Sequence, residues 1–270
     1  MTNEIDRARD IRLPDRTSGE RTAARQRRAF GRLLSSIPVA EWESPTECER
    51  WRVRDMVAHV VAATDLARRP WRYPFDVRAA QRRYPGDAPI DAYNEHRIDL
   101  RRGCSPRELL DALERMTPLA APPRIARRLP VRGYGLPSYA TIGYFADAVL
   151  VRDVYMHRLD VGRAVGAADV PDASDADVVE QVVRDLGLAW QGPSVELRLS
   201  GPGGGAWLLD VPDRAEGRHA APPSPSPSRI VEAPVAEFMR HLSGREAAIP
   251  AIASGDADVD AAIGRARVLF

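Results

Sequence analysis

Apolar residues recur at helical spacing through the first 165 positions of the chain. Phe30, Leu33, Leu34 and Ile37 predict a helix over about 20–37, ended by Pro38. Val53, Met56, Val57, Val60 and Thr64 share one face of a second helix over 51–69. Residues 70–88 hold three prolines and read as a loop, and a third helix covers about 90–102. "SPRELLDALERM", residues 105–116, opens with Ser105 as an N-cap and Pro106 at the first helical position. Residues 117–137 are rich in Pro and Gly and read as a long connection. A last long helix runs over about 138–165 and stops at Gly166.

The pattern then changes. A linker and one more helix occupy "ADVPDASDADVVEQVVRDLGLAW". Val195, Leu197 and Leu199 alternate with polar residues, the mark of a half-buried strand. "GPGGG" is a turn, "AWLLDV" the return strand and "SRIVEA" a third strand. "APPSPSPS" between them is low-complexity linker, and two helices close the chain. Residues 1–18 are polar and read as loose. The expectation is an all-α domain over residues 18–168 followed by a small α+β domain over 172–270.

One helix breaks its own pattern. In "RDVYMHRLDVGRAVG", residues 152–166, Asp153, His157 and Asp160 stand where leucines belong. At 100° per residue, His157 lies about 40° from Asp153, with Asp160 between. Ile142, Ala146, Val149 and Ala164 fall on the same side and predict a face turned to the bundle core. A carboxylate there is costly unless paired or bound to a cation. Asp153 and His157 at i,i+4 reach one common point, the spacing with which a single helix chelates a divalent metal. His59, at the edge of the second helix's apolar face, is the candidate for a further ligand. Two His and a carboxylate suit Zn²⁺ with an open position, or Ni²⁺ or Fe²⁺. The same spacing also suits a purely structural Asp–His hydrogen bond, with His59 packed on a carbonyl; spacing alone leaves both readings open.

Composition narrows the classes. Apolar residues make up 44% and charged residues 29%, ordinary for a soluble globular chain, and no apolar run approaches a membrane span. The net charge of +1 gives no global field for nucleic acid or anionic membrane, so neither is an expected partner. All 39 basic residues are Arg, which excludes a Schiff-base lysine and a phosphate-loop lysine and points to a GC-rich genome. Cys48 and Cys104 are too few for a disulfide framework, and "MTNEIDRARDIRLPDR" has no signal-peptide core; both point to the cytoplasm.

Two stretches together resemble a known family. "WESPTECERWRVRDMVAHVVAATD", residues 42–65, carries Trp42, Pro45, Thr46, Cys48, Trp51, Val53, Asp55 and His59. It is similar to the opening motif of actinobacterial mycothiol-dependent maleylpyruvate isomerase-like proteins, of the DinB-like fold. "DAYNEHRI" resembles that family's third-helix segment, and "RDVYMHRLDVGRAVG" its metal-helix motif. "AEFMRHLSGR" resembles a segment of its sterol-carrier-like C-terminal domain. The resemblance spans about residues 20–265. It implies a DinB-like four-helix bundle with a Zn²⁺-type site at His59, Asp153 and His157, a small α+β domain after it, and mycothiol as thiol cosubstrate. The implied reaction is attack of the thiolate on a small electrophile: in an isomerase it adds to a conjugated double bond, which rotates before the thiol leaves, and in a transferase it stays on the product. The family's best-known members carry Glu four residues before the His, where this chain has Asp153. The shorter acid ligates directly, ligates through water, or only orients His157.

Other signals carry less. Cys48 lies just before a helix and reads as packing. His96, between Glu95 and Arg97, reads as solvent-facing rather than as a fourth ligand or a base. "RTAARQRRAFGR" is the solvated face of the first helix. Arg245, after Gly244 at a helix end, is the candidate for holding a substrate carboxylate in a cleft between the domains; capping or solvent exposure is the plain alternative. The leading expectation is a metal- and mycothiol-dependent isomerase or S-transferase, active as a monomer or homodimer. The alternative is a non-catalytic ligand-binding or regulatory member of the same fold with a degenerate metal site. A DNA-damage-linked nucleic-acid protein is disfavoured by the near-neutral charge.

Overall fold

The computed structural model describes residues 5–68, 72–115, 127–132, 136–167, 171–211, 229–245 and 254–270. Most of the connection expected over 117–137 and all of the linker at 221–228 lie outside the described residues, as does the side chain of Thr64. The chain divides into two compact units. One is Pro14–Asp172, with Phe270; the other combines Met1–Leu13 with Ala173–Leu269. No described helix is long and apolar enough to cross a membrane.

The first unit is helical. Helix α1, Arg16–Ser36, starts earlier than its apolar stripe because Asp15 caps it, accepting from Ser18 N at 2.8 Å. Helix α2, Val53–Arg68, buries Val53, Met56, Val57 and Val60, as its spacing predicts. Helix α3, Tyr73–Arg83, occupies the stretch expected to be a loop. Pro74 sits in its first turn, where the missing N–H costs nothing, so the proline signal there marked a start and not a break. Ala80 of α3 packs with Ala92 and Tyr93 of α4, Pro89–Asp99. Helix α5, Pro106–Glu114, carries the expected Ser105 cap as a full capping box with Glu108.

The last helix of the unit runs through Ile142–Tyr144, a π-helical segment Phe145–Val149, and α6, Leu150–Ala164. Gly166 follows with φ +61°, as a helix stop requires. The π-helical turn corrects one expectation. Its i→i+5 bonding takes an extra residue, which puts everything before it about 100° out of phase with α6. Ile142 and Ala146 are therefore only half-buried, and Asp147, Ala148 and Val149 take the buried side. Gly19 of α1 lies opposite Asp147, where an added Cβ would meet Asp147 Cβ at 2.7 Å. Helix α6 is buried almost all round from Val151 to Gly162. Phe30, Leu34, Trp42, Leu109 and Leu113 join its Val154 and Val161 in the main core. Each such side chain contributes roughly 1.5–3 kcal/mol by leaving water.

The second unit holds helix α7, Asp175–Ala189, and a sheet of order β2-β1-β3. Strand β1, Val195–Ser200, pairs antiparallel with β2, Gly205–Leu209, and parallel with β3, Ile230–Pro234. The β1–β2 turn needs glycine: Gly203 has φ +76°, and a Cβ on Gly204 would meet Leu199 O at 2.2 Å. Helices α8, Val235–Leu242, and α9, Ala257–Arg265, complete the unit. Residues 5–11, expected to be loose, dock here instead. Leu208 N donates to Asp6 O at 2.9 Å, and Arg9 pairs with Asp210 at 2.7 Å. Ala8 is fully buried against Gly187, where any Cβ would collide with it at 2.7 Å. A short side chain facing a glycine, plus an unpaired strand edge, anchors a segment whose composition alone reads as unstructured.

Candidate metal centre

Three side chains meet between α2 and α6. Asp153 and His157, one turn apart on α6, face His59 from α2, and one ligand atom from each lies within 4.8 Å of the others. Asp153 Oδ1 is 3.3 Å from His59 Nε2 and 3.2 Å from His157 Nε2. The imidazole centroids are 5.1 Å apart and nearly perpendicular, so the two rings approach one point from different directions. His157 is buried, while the side chains of His59 and Asp153 keep 12% and 16% of their surface.

Two further residues complete the site. His157 Nδ1 lies 3.1 Å from Asp160 Oδ2, which turns Nε2 toward Asp153. The Trp51 ring lies 4.8 Å from His59 and 6.0 Å from His157, centroid to centroid. Trp51 Nε1 donates to Glu95 Oε1 at 2.8 Å. Glu95 is accordingly buried, contrary to the solvent-facing surroundings expected at His96, and His96 itself is half-buried with Nδ1 inside the protein. His96 is not one of the converging residues.

The electrostatics are those of a cation site. Burial pushes the Asp153 carboxyl up, but the imidazoles of His157 and His59 outweigh it and hold it well below the usual carboxylate range. Burial lowers His157, yet the charge of Asp153 and the bonds to Asp153 and Asp160 raise it to about 9. Both shifts favour the charged pair, an imidazolium beside a carboxylate. Among the described residues Asp153 Oδ2 is buried with no hydrogen-bond partner, an acceptor without a donor. Two ligand atoms held tetrahedrally about 2.0 Å from one ion stand about 3.3 Å apart, which is the spacing of Asp153 Oδ1 from each ring nitrogen. The donor set fits a divalent ion of the Zn²⁺ type.

Residues 23–162 match the family model for the mycothiol maleylpyruvate isomerase N-terminal domain. The chain belongs to that family. His59, Asp153, His157, Asp160 and Trp51 all lie inside the matched stretch of the maleylpyruvate isomerase domain, and Arg245 lies outside it. A crystal structure of the mycothiol-dependent maleylpyruvate isomerase shares the fold, with TM-score 0.52 and 18% identity over 90% of this chain and 93% of that one. A structure of an alanine mutant of that enzyme aligns over the same shares with TM-score 0.49. No curated protein matches the chain.

Arg245 is in the second unit, after Gly244 with φ +82°, where its Nη1 donates to Ser243 Oγ at 2.8 Å. Cys48 is in no disulfide among the described residues and packs against the main core. Sequence reasoning assigned no role to Asp160, Trp51 or Glu95. The i,i+3 spacing of His157 and Asp160 was a readable signal; the indole–carboxylate pair, one member in the loop before α2 and the other on α4, left none.

Proposed function

We propose that this protein is a metal-dependent, mycothiol-dependent isomerase or S-transferase acting on a small electrophile. The observation that carries the reading is the convergence of His59, Asp153 and His157, with both ring nitrogens within 3.3 Å of Asp153 Oδ1, inside the stretch that matches the family. His59 Nε2, His157 Nε2 and an Asp153 oxygen would hold the ion, zinc being the expected one. A divalent ion held there supplies positive charge that favours thiolate over thiol at neutral pH. Asp160 keeps the His157 Nδ1 proton and frees Nε2 as a lone-pair donor. His157 must release its other proton as the ion enters, because its pKa is raised. Asp153, one methylene shorter than the Glu usual in the family, still reaches both ring nitrogens, which supports an intact site over the degenerate, non-catalytic alternative.

Mycothiol and a small electrophile are the proposed partners, with maleylpyruvate the first substrate to try. Arg245 remains the proposed group for a substrate carboxylate, on the strength of its bidentate chemistry. The DinB-like and sterol-carrier-like descriptions are part of this proposal; the helical first unit and the mixed sheet of the second are compatible with them.

The test is elemental analysis of protein purified without chelator, followed by turnover with mycothiol. About one divalent ion per chain is expected, lost in His157→Ala and weakened in Asp153→Ala. Thiol recovered unchanged identifies an isomerase; thiol consumed one-for-one identifies a transferase. A metal-free protein at full native stability would sink the reading.

A further inference from the structure

The two histidines are held by different means. His157 has a carboxylate on its second nitrogen, the usual way a ligand imidazole is fixed. His59 has no such partner: among the described residues its only hydrogen bond is from Nε2 to Asp153. An imidazole without one turns about its last side-chain torsion in a broad, shallow well, and Nε2 meets the common point in only part of that range. Something else must fix the ring, and the indole of Trp51 lies against it at 4.8 Å and 31°, within the range of offset aromatic packing.

Trp51 is itself held at both ends. Its carbonyl accepts from Thr46 N at 3.2 Å and Thr46 Oγ1 at 2.8 Å, and its own N–H donates to Cys48 O at 2.8 Å. At the other end Nε1 donates to Glu95 Oε1, and Glu95 is 8% exposed with Arg50 Nε 3.3 Å away. Burying a carboxylate to hold one indole N–H is expensive unless the indole's orientation matters.

We infer that Trp51, locked by Glu95 of α4, is the positioning residue for His59, taking the role that Asp160 has for His157. This rests on the metal reading above. The fourth helix thereby reaches the metal point without contributing a ligand.

The experiment uses the full chain, stripped of metal and titrated with Co²⁺ against a competing chelator, with the visible absorption of bound Co²⁺ recorded. Trp51→Leu should weaken Co²⁺ binding roughly tenfold or more and change the band, as His59 leaves its place. Trp51→Phe should retain most of the affinity, because the ring face remains. Glu95→Gln should also retain it, since the amide oxygen accepts the same bond, while Glu95→Leu should fall toward Trp51→Leu. Circular dichroism of the metal-free variants checks folding. If Trp51→Leu does not fold, Glu95→Leu against Glu95→Gln makes the same comparison. Undiminished binding in a folded leucine variant, or Trp51→Phe as weak as Trp51→Leu, overturns the inference alone. A wild-type protein that takes up no Co²⁺ overturns the metal reading, and this inference with it.

Discussion

His157 and Asp160 lie three residues apart on α6, with Nδ1 and Oδ2 separated by 3.1 Å, and this pair decides which nitrogen of His157 is offered to the site. A neutral imidazole carries one proton. With that proton on Nδ1, facing a carboxylate that is 1% exposed, Nε2 is left as the lone-pair donor toward Asp153.

Replacing Asp160 should therefore cost metal affinity although it touches no metal. Asp160→Ala is expected to lose about 10–100-fold in Zn²⁺ affinity by chelator competition. Affinity equal to wild type would remove Asp160 from the site.

The metal-free protein and the metal complex should respond oppositely to pH. The folded pKa of His157 is raised from 6.5 to about 9, so its stabilising contribution is full below 6.5 and is lost as pH rises through about 9. Asp153 is shifted down, so its contribution is present above the ordinary 3.8 and is lost on acidification below it. The Tm of metal-free protein should fall between pH 6.5 and 9. Zn²⁺ affinity should rise over the same interval, by up to about tenfold per unit for one released proton. A Tm that climbs across that interval would contradict the assignment.

The helical unit should stand alone. Residues 14–172 contain all three converging side chains and the main core, and should fold and bind Co²⁺. Trimming further to 18–168 removes the Asp15 cap of α1, worth about 1 kcal/mol, and the Asp172 carboxylate that Arg25 and Arg32 hold at 3.1 Å. Thermal melts of the two fragments should rank the longer one higher.

Gly19→Ala should destabilise the same unit. Its Cβ would lie 2.7 Å from Asp147 Cβ, an atom fixed to the π-helical backbone and unable to swing aside. A loss of about 1–3 kcal/mol is expected in urea unfolding. The usual gain from Gly→Ala within a helix would show that the two helices separate easily there.

How far the chain could be read depended on whether a feature is periodic. Helices α2 and α5 were legible because an apolar stripe and a Ser-Pro start repeat a local rule. Helix α3 was missed because Pro74 counts as a breaker in composition yet is harmless in a first turn. The π-helical turn at Phe145–Val149 writes no residue signature, only a phase slip that misplaced Ile142 and Ala146. His59, Asp153 and His157 could be named because two share an i,i+4 spacing and the third sits in a motif. Trp51 and Glu95, 44 residues apart on different elements, meet only once the helices pack.

The docked segment at residues 5–11 has a consequence for the order of assembly. Arg9 and Asp210 are 201 positions apart, so at ribosomal speed the arginine waits roughly 10–40 s for its partner. Within that wait residues 14–172 are complete and can fold first, while the earliest segment stays unpaired. Such a distant contact closes a long loop for little return until β2 exists. The strap should therefore form after the sheet, and Arg9→Ala should hasten unfolding more than it slows folding.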